Sequence, residues 1–154
     1  MRKSLLIAVL ILPFLSAGAD DDLGKIRARA DAANPKDCTK VCAEAAEMLV
    51  DQSSAEFDGG NAEAAHKALD DAIAYSRRAA ASAIETRKRQ KQVEIDLRKI
   101  VRRIDHIKDT LNFEDRPRLE EHIKELEGLR DELLASMFGP SVKKAPDVPK
   151  GGIR

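Results

Sequence analysis

The sequence contains no tryptophan, one tyrosine and four phenylalanines, so aromatics make up only 3% of its 154 residues. A β-sandwich or a doubly wound α/β enzyme would draw more heavily on aromatic and β-branched side chains. The longest apolar run is the eleven residues Leu5–Leu15. At 1.5 Å per residue such a run cannot cross a hydrocarbon core of about 30 Å. There is no Gly-rich phosphate loop, no G-x-S-x-G and no H-E-x-x-H, and His66, His106 and His122 are well separated. Paired carboxylates such as Asp70-Asp71 and Glu120-Glu121 are adjacent, so on a helix they point in different directions. These absences argue against an enzyme, and neither a cofactor nor a metal is expected. What is present is an Ala-, Glu-, Lys-, Leu- and Arg-rich mixture, 35% charged, with helical periodicity. That composition and length predict one all-α domain of coiled-coil-like helices.

The first residues read as an export signal. Met1-Arg-Lys-Ser4 is a basic start, Leu5–Leu15 is the apolar segment, and Ala17-Gly18-Ala19 supplies small residues for cleavage before Asp20. Pro13 disfavours a continuous helix, and no cysteine follows the apolar run to carry a lipid anchor. Residues 1–19 are therefore expected to be removed, leaving a periplasmic or extracellular protein. The remaining 135 or so residues carry 25 basic and 27 acidic side chains, since Arg2 and Lys3 leave with the signal.

Export bears on the two cysteines. Cys38 and Cys42 stand four apart in Cys-Thr-Lys-Val-Cys, one turn apart on one helix face. A c-type haem site would need His directly after the second cysteine, where Ala43 stands. A metal site would need further ligands, with His66 the nearest histidine by sequence. An oxidising compartment favours a local disulfide, with some distortion of the first helical turn. Alternatively both thiols are small seam residues, free or bridging to a second protomer, in the stripe Cys38, Cys42, Ala45, Leu49.

Residues 20–34 are acidic and then weakly amphipathic, predicting a short or frayed helix with Leu23, Ile26 and Ala30 on one side. Asn34 and Pro35 mark a helix start, and a first main helix is expected over 35–56. Asp58-Gly59-Gly60-Asn61 is a turn. From 61 to 111 there is no Gly or Pro, and apolar or small residues recur every three or four positions. This predicts one helix of about 75 Å. Glu85–Gln92 carries no apolar residue, so the seam is interrupted there and the helix is exposed or kinked. Asp115 and Pro117 open a third helix over 117–138, and the short connection forces an antiparallel hairpin in which Ile104 faces Leu126 and Leu97 faces Leu133. Two hairpins sharing one long helix give a Z-shaped expectation. Residues 36–84 hold eight large apolar side chains and residues 93–138 hold seventeen, so the first seam is Ala-lined and buries little. Either the ends fold over each other at the polar stretch, or a second chain completes the core. Residues 139–154, rich in Pro, Gly and Lys, are expected to be a disordered tail.

Charge is segregated. Residues 20–71 carry thirteen acids and six bases, residues 77–103 ten bases and three acids, and residues 104–138 ten acids and five bases. Arg77, Arg78, Arg87, Lys88, Arg89 and Lys91 are candidates for binding anionic envelope polymer or a lipid surface. The competing reading is a solvated helix face whose bases pair with acids on neighbouring helices. Nucleic acid is not expected as a partner, because no aromatics are interleaved for base stacking.

Gly60-Asn-Ala-Glu-Ala-Ala-His-Lys-Ala-Leu-Asp-Asp-Ala72 resembles the second helix of a tetratricopeptide repeat. Gln52 and Glu56 stand where the preceding helix of that repeat has Leu and Tyr, and no second copy follows at 34-residue spacing. The chain as a whole also resembles small exported bacterial helical-hairpin proteins of unassigned function. Both resemblances imply helical hairpins and lend no chemistry. The expectation is a non-catalytic exported protein acting by association, with itself or another envelope protein. Alternatives are anion binding by the basic stretch, or a thiol-redox or metal role for the cysteine pair.

Overall fold

The computed structural model describes residues 17–139. The expected leader lies outside the described residues apart from Ala17–Ala19, and the expected tail lies outside them apart from Gly139. Among the described residues there are five helices and no strand: α1 (Ala17–Ala32), α2 (Pro35–Asp58), α3 (Ala62–Thr86), α4 (Gln90–Thr110) and α5 (Arg116–Phe138). The fold is all-α.

Local sequence accounts for most helix ends. Asn34 caps α2, accepting from the backbone N–H groups of Lys36 and Asp37, and Pro35 occupies the first turn where no N–H is required. Gly60, at φ 79°, makes the turn into α3 that a side chain would resist. Thr110 and Leu111 end α4, and Pro117 lies in the first turn of α5.

The single helix expected over 61–111 is two helices. It breaks between Thr86 and Gln90, where Arg87 and Arg89 adopt the left-handed conformation at φ 54° and 57°. The Z shape is replaced by a closed arrangement, in which α2–α3, α3–α5, α5–α4 and α4–α2 all pack together and α3 also touches α4. The reason is burial. A straight helix would leave each two-helix seam covered on one side only, whereas folding back at the apolar-free stretch lets each hairpin cover the other. A left-handed arginine costs about 1–2 kcal/mol. Each fully buried Leu or Ile returns about 1.5–3 kcal/mol, and Leu97, Ile100, Ile104, Leu126 and Leu133 are all fully buried, so closing the core outweighs the two turns.

The stripes seen in the sequence are the ones buried. On α2 they include Cys42, Ala45, Leu49 and Ser53, on α3 Ala65, Leu69, Ala72 and Ala79, and on α4 Val93, Leu97, Ile100 and Ile104. On α5 the buried residues are Leu119, Leu126, Leu129 and Leu133, while Ile123 and Met137 are half-buried. The α4–α5 hairpin forms as expected, but its cross-links run about one turn out of the expected pairing. Gln90 Nε2 donates to Ser136 Oγ, and Arg130 reaches Glu94. Helix α1 lies along α2 with Leu23, Ile26 and Ala30 buried, and reaches α3 through side chains. Arg27 pairs with Asp71, Tyr75 Oη donates to Asp31 at 2.8 Å, and Arg78 donates to the Ala30 carbonyl at 2.7 Å. These tertiary bonds explain why a segment with weak helical amphipathicity is nevertheless helical.

One charge sits in the core. Glu94 is 5% exposed and accepts from Arg98 at 2.7 Å and from Arg130 at 2.9 Å, tying α4 to α5. The Arg98 hydrogen bond, and with it Arg130, holds the Glu94 carboxyl below the ordinary carboxylate range despite its burial. Glu94→Gln keeps the shape and removes the charge, so it should cost about 1–3 kcal/mol by the usual worth of charged hydrogen bonds. Urea unfolding of the variant against the parent measures this.

His122 supplies a pH dependence. Its burial beside Asp70 pushes the imidazole pKa down, and the Asp70 carboxylate offsets this only in part. Below an unfolded-state value of about 6.5 the unfolded chain takes up a proton that the fold resists. Stability should therefore be flat above about pH 7 and decline as the pH falls through 6, with Glu94 adding a further loss below the carboxylate range. Denaturant midpoints across this range should show the decline near pH 6, and His122→Gln should flatten it.

Candidate functional site

Cys38 and Cys42 form a disulfide with their Cα atoms 5.2 Å apart, and both are buried. Helix α2 runs through the bridge without interruption: the Cys38 N–H donates to the Asn34 carbonyl at 2.8 Å. The turn is compressed nonetheless, as expected, since Cα atoms four residues apart in an undistorted helix stand about 6 Å apart. Thr39 Oγ1 lies 2.8 Å from Ser82 Oγ, and Ser82 also donates to the Pro35 carbonyl, fastening the start of α2 to the end of α3. His66 is not near the cysteines. It sits at the opposite end of the bundle, edge-on to Phe57 and 3.2 Å from Asp115. Among the described residues no cluster of three or more His, Cys, Asp or Glu side chains is arranged to hold a metal ion.

A cross-link that closes only five residues removes little chain entropy, about 2 kcal/mol by the loop-closure relation. Its effect is local, on the turn that carries Thr39, Lys40 and Val41.

The structure sorts the basic stretch residue by residue. Arg77 pairs with Glu125 of α5, and Arg78 with Asp31 of α1 while covering the Tyr75 ring. Arg98 pairs with Glu94, Lys99 with Asp96 and Arg103 with Asp51. Three of these, Arg77, Arg78 and Arg103, meet acids on neighbouring helices as that reading has it, Arg98 and Lys99 pair within α4, and Arg102 is exposed with no carboxylate within 4.0 Å among the described residues. Arg87, Lys88, Arg89 and Lys91 are exposed, and among the described residues none has a carboxylate within 4.0 Å. All four lie at the α3–α4 elbow. The six sequence candidates are thus not one surface: Arg77 and Arg78 face neighbouring helices, and the other four project from the turn.

The elbow also meets residues that the sequence did not single out. Arg89 closes an open groove of about 470 Å³ whose other cations are Arg29 at the end of α1 and Lys36 and Lys40 at the start of α2. Asp37 is the one carboxylate lining it and is engaged by Asn34 Nδ2 at 2.8 Å. Lys40 is 3.5 Å from Glu44, whereas Arg29 and Lys36 have no ion-pair partner among the described residues. On its other side Arg89 borders a hollow containing Glu44, Glu47 and Asp96. The available signal was the four-residue spacing of Lys36 and Lys40, which puts both on one helix face. Their association with Arg89, some fifty positions on, needs the folded-back elbow.

The opposite end is acidic. The α2–α3 turn brings Glu56 and Glu63 together, and the His66–Asp115 contact places the α4–α5 connection beside it. Two large apolar side chains are strongly exposed, Phe113 at 84% on this acidic end and Phe138 at 81% on the basic end. No family model, characterised protein or solved structure matches this chain.

Arginine at positive φ is a local cost that glycine would remove. Arg89→Gly should therefore leave the fold intact and be neutral or more stable, by up to about 1 kcal/mol after the glycine's greater unfolded-state entropy is subtracted. Thermal unfolding followed by circular dichroism tests this, and clear destabilisation would show that the Arg89 side chain holds the elbow together.

Proposed function

We propose that this is an exported, non-catalytic helical protein that acts by association, docking onto anionic envelope polymer through its basic end. The observation that carries this reading is the clustering of unpaired charge: Arg77, Arg78 and Arg103 pair with acids on neighbouring helices and Arg98 and Lys99 with acids one turn away on α4, while Arg87, Lys88, Arg89 and Lys91 gather at the elbow, exposed and unpaired. They are also held on two left-handed arginines, and backbone strain of this kind concentrates where function requires it. The incomplete seams that favoured self-association in the sequence are closed within one chain. Among the described residues no helix is long and apolar enough to cross a membrane.

A second reading is head-to-tail association of copies, basic end against acidic end. The exposed Phe138 and Phe113 at opposite ends favour it. A heterologous contact of that kind builds open chains rather than a closed dimer.

Light-scattering mass after gel filtration, with and without dextran sulfate, separates the two. Docking predicts a monomer that binds the polyanion at low ionic strength and releases it at moderate ionic strength, because exposed charges are screened beyond about 8–10 Å there. Combined substitution of Arg87, Lys88, Arg89 and Lys91 by Gln should abolish binding, and Arg103→Gln should not. Salt-labile oligomers without the polymer would favour the second reading, and no binding with a salt-independent monomer would reject both.

A further inference from the structure

The basic groove beside the elbow has a more particular composition than the elbow itself. Its cations converge from three separate elements: Arg29 from α1, Lys36 and Lys40 from α2, and Arg89 from the turn between α3 and α4. Convergence from segments far apart in sequence is what distinguishes a site from a run of charge along one helix. Three of the four cations have no carboxylate partner among the described residues, and the lone carboxylate of the lining is occupied by Asn34. The Cys38–Cys42 bridge closes the turn of α2 that carries Lys40 and Val41, and Arg89 stands at a left-handed backbone position. Val41 and Ala33 give the floor an apolar portion.

The charge balance indicates what such a groove would hold. Asn34 is a neutral donor, so Asp37 keeps its charge; against four cations stand Asp37 and the Glu44 partner of Lys40, and a singly charged ligand would still leave cationic charge uncompensated, which matches the groove to a ligand with more than one negative charge. Two of the cations are arginines, whose planar forks match phosphate oxygens in pairs, and a lysine serves as a point charge beside them. The volume, about 470 Å³, accommodates a phosphorylated small molecule or headgroup and not merely one small ion. We propose that this groove is a binding site for a multiply charged phosphate group, held by Arg29, Lys36 and Arg89 with Lys40 at its edge. The proposal rests on the reading of the basic end as the working surface, and gives that surface a defined ligand chemistry.

Pyrophosphate is the probe for a soluble source, and vesicles containing phosphatidic acid in a zwitterionic background are the probe for a headgroup. Amide chemical shifts should follow pyrophosphate saturably at Lys36–Val41 and around Arg89. Arg89→Gly, which keeps the backbone shape, and a paired Arg29→Gln, Lys36→Gln variant should each weaken binding at least tenfold, while Arg103→Gln leaves it unchanged. Binding to the vesicles but not to pyrophosphate, with the same loss in Arg89→Gly, supports the groove and identifies a headgroup as the source. No saturable binding of either probe overturns the proposal, as does binding that Arg103→Gln weakens as much as Arg89→Gly. Dextran sulfate carries no phosphate and reads the whole elbow, so its binding can survive when the groove proposal fails.

Discussion

The break at residues 87–89 is the constraint on which the other contacts depend. Helix α3 is rich in alanine, and its seam with α2 buries small side chains such as Ala45, Ala46, Ala68 and Ala72. Such a seam brings helices close but removes little apolar surface from water, so the α2–α3 hairpin would be marginal alone. The α4–α5 hairpin has larger side chains but, on its own, one uncovered side. Turning the chain back at the elbow places α4 against α2 and α5 against α3, and both deficits are met at once. The elbow is possible because nothing apolar between Glu85 and Gln92 needs covering.

The same turn decides where charge can be neutralised. Along the body of the bundle every helix has neighbours at about one helix diameter, so Arg77, Arg78 and Arg103 find carboxylates on α5, α1 and α2. These exposed pairs are individually worth little and act chiefly by placing opposite charges across each contact. At the elbow there is no helix beyond, only the end of α1 and the start of α2, and these bring Arg29, Lys36 and Lys40 against the single carboxylate of Asp37. Like charge therefore accumulates at one end, while the two turns at the other end gather carboxylates. The asymmetry follows from topology: an overall balance of 27 bases and 27 acids conceals it.

Much of this was legible in the residues. The three- and four-residue spacing named the buried faces of α2, α3 and α4 almost position by position, and the Pro and Gly punctuation placed the α2–α3 and α4–α5 turns. The apolar-free stretch marked a possible kink. A fold-back there was one of two ways the sequence offered to complete the core, and the choice between it and a second chain was not legible, because the deciding energy lies between hairpins and not within the segment. The groove was hidden for a related reason. Arg29, Lys36 and Lys40 lie in a region where acids outnumber bases thirteen to six, so local charge counting pointed away from them. The pairing of Arg130 with Glu94 was hidden likewise, because a long guanidinium stem reaches along the helix beyond the residue that its own position faces.

The disulfide takes on meaning in this setting. A bridge between residues four apart in a continuous helix constrains a segment that helical hydrogen bonds already constrain, so its contribution to global stability is small. The Asn34 cap, the Thr39–Ser82 contact and the buried positions of Val41 and Cys42 hold the same turns from other directions. What the covalent link adds is resistance to fraying in the first turns of α2, the part of any helix that opens most readily. Those turns carry Lys36, Asp37 and Lys40 toward Arg89. Rigid placement matters little for a core that only has to exclude water, but it matters for cations that must meet an anion without first losing conformational freedom. The bridge thus acts on the local order of the turn that carries Lys40 and Val41 more than on the stability of the whole bundle.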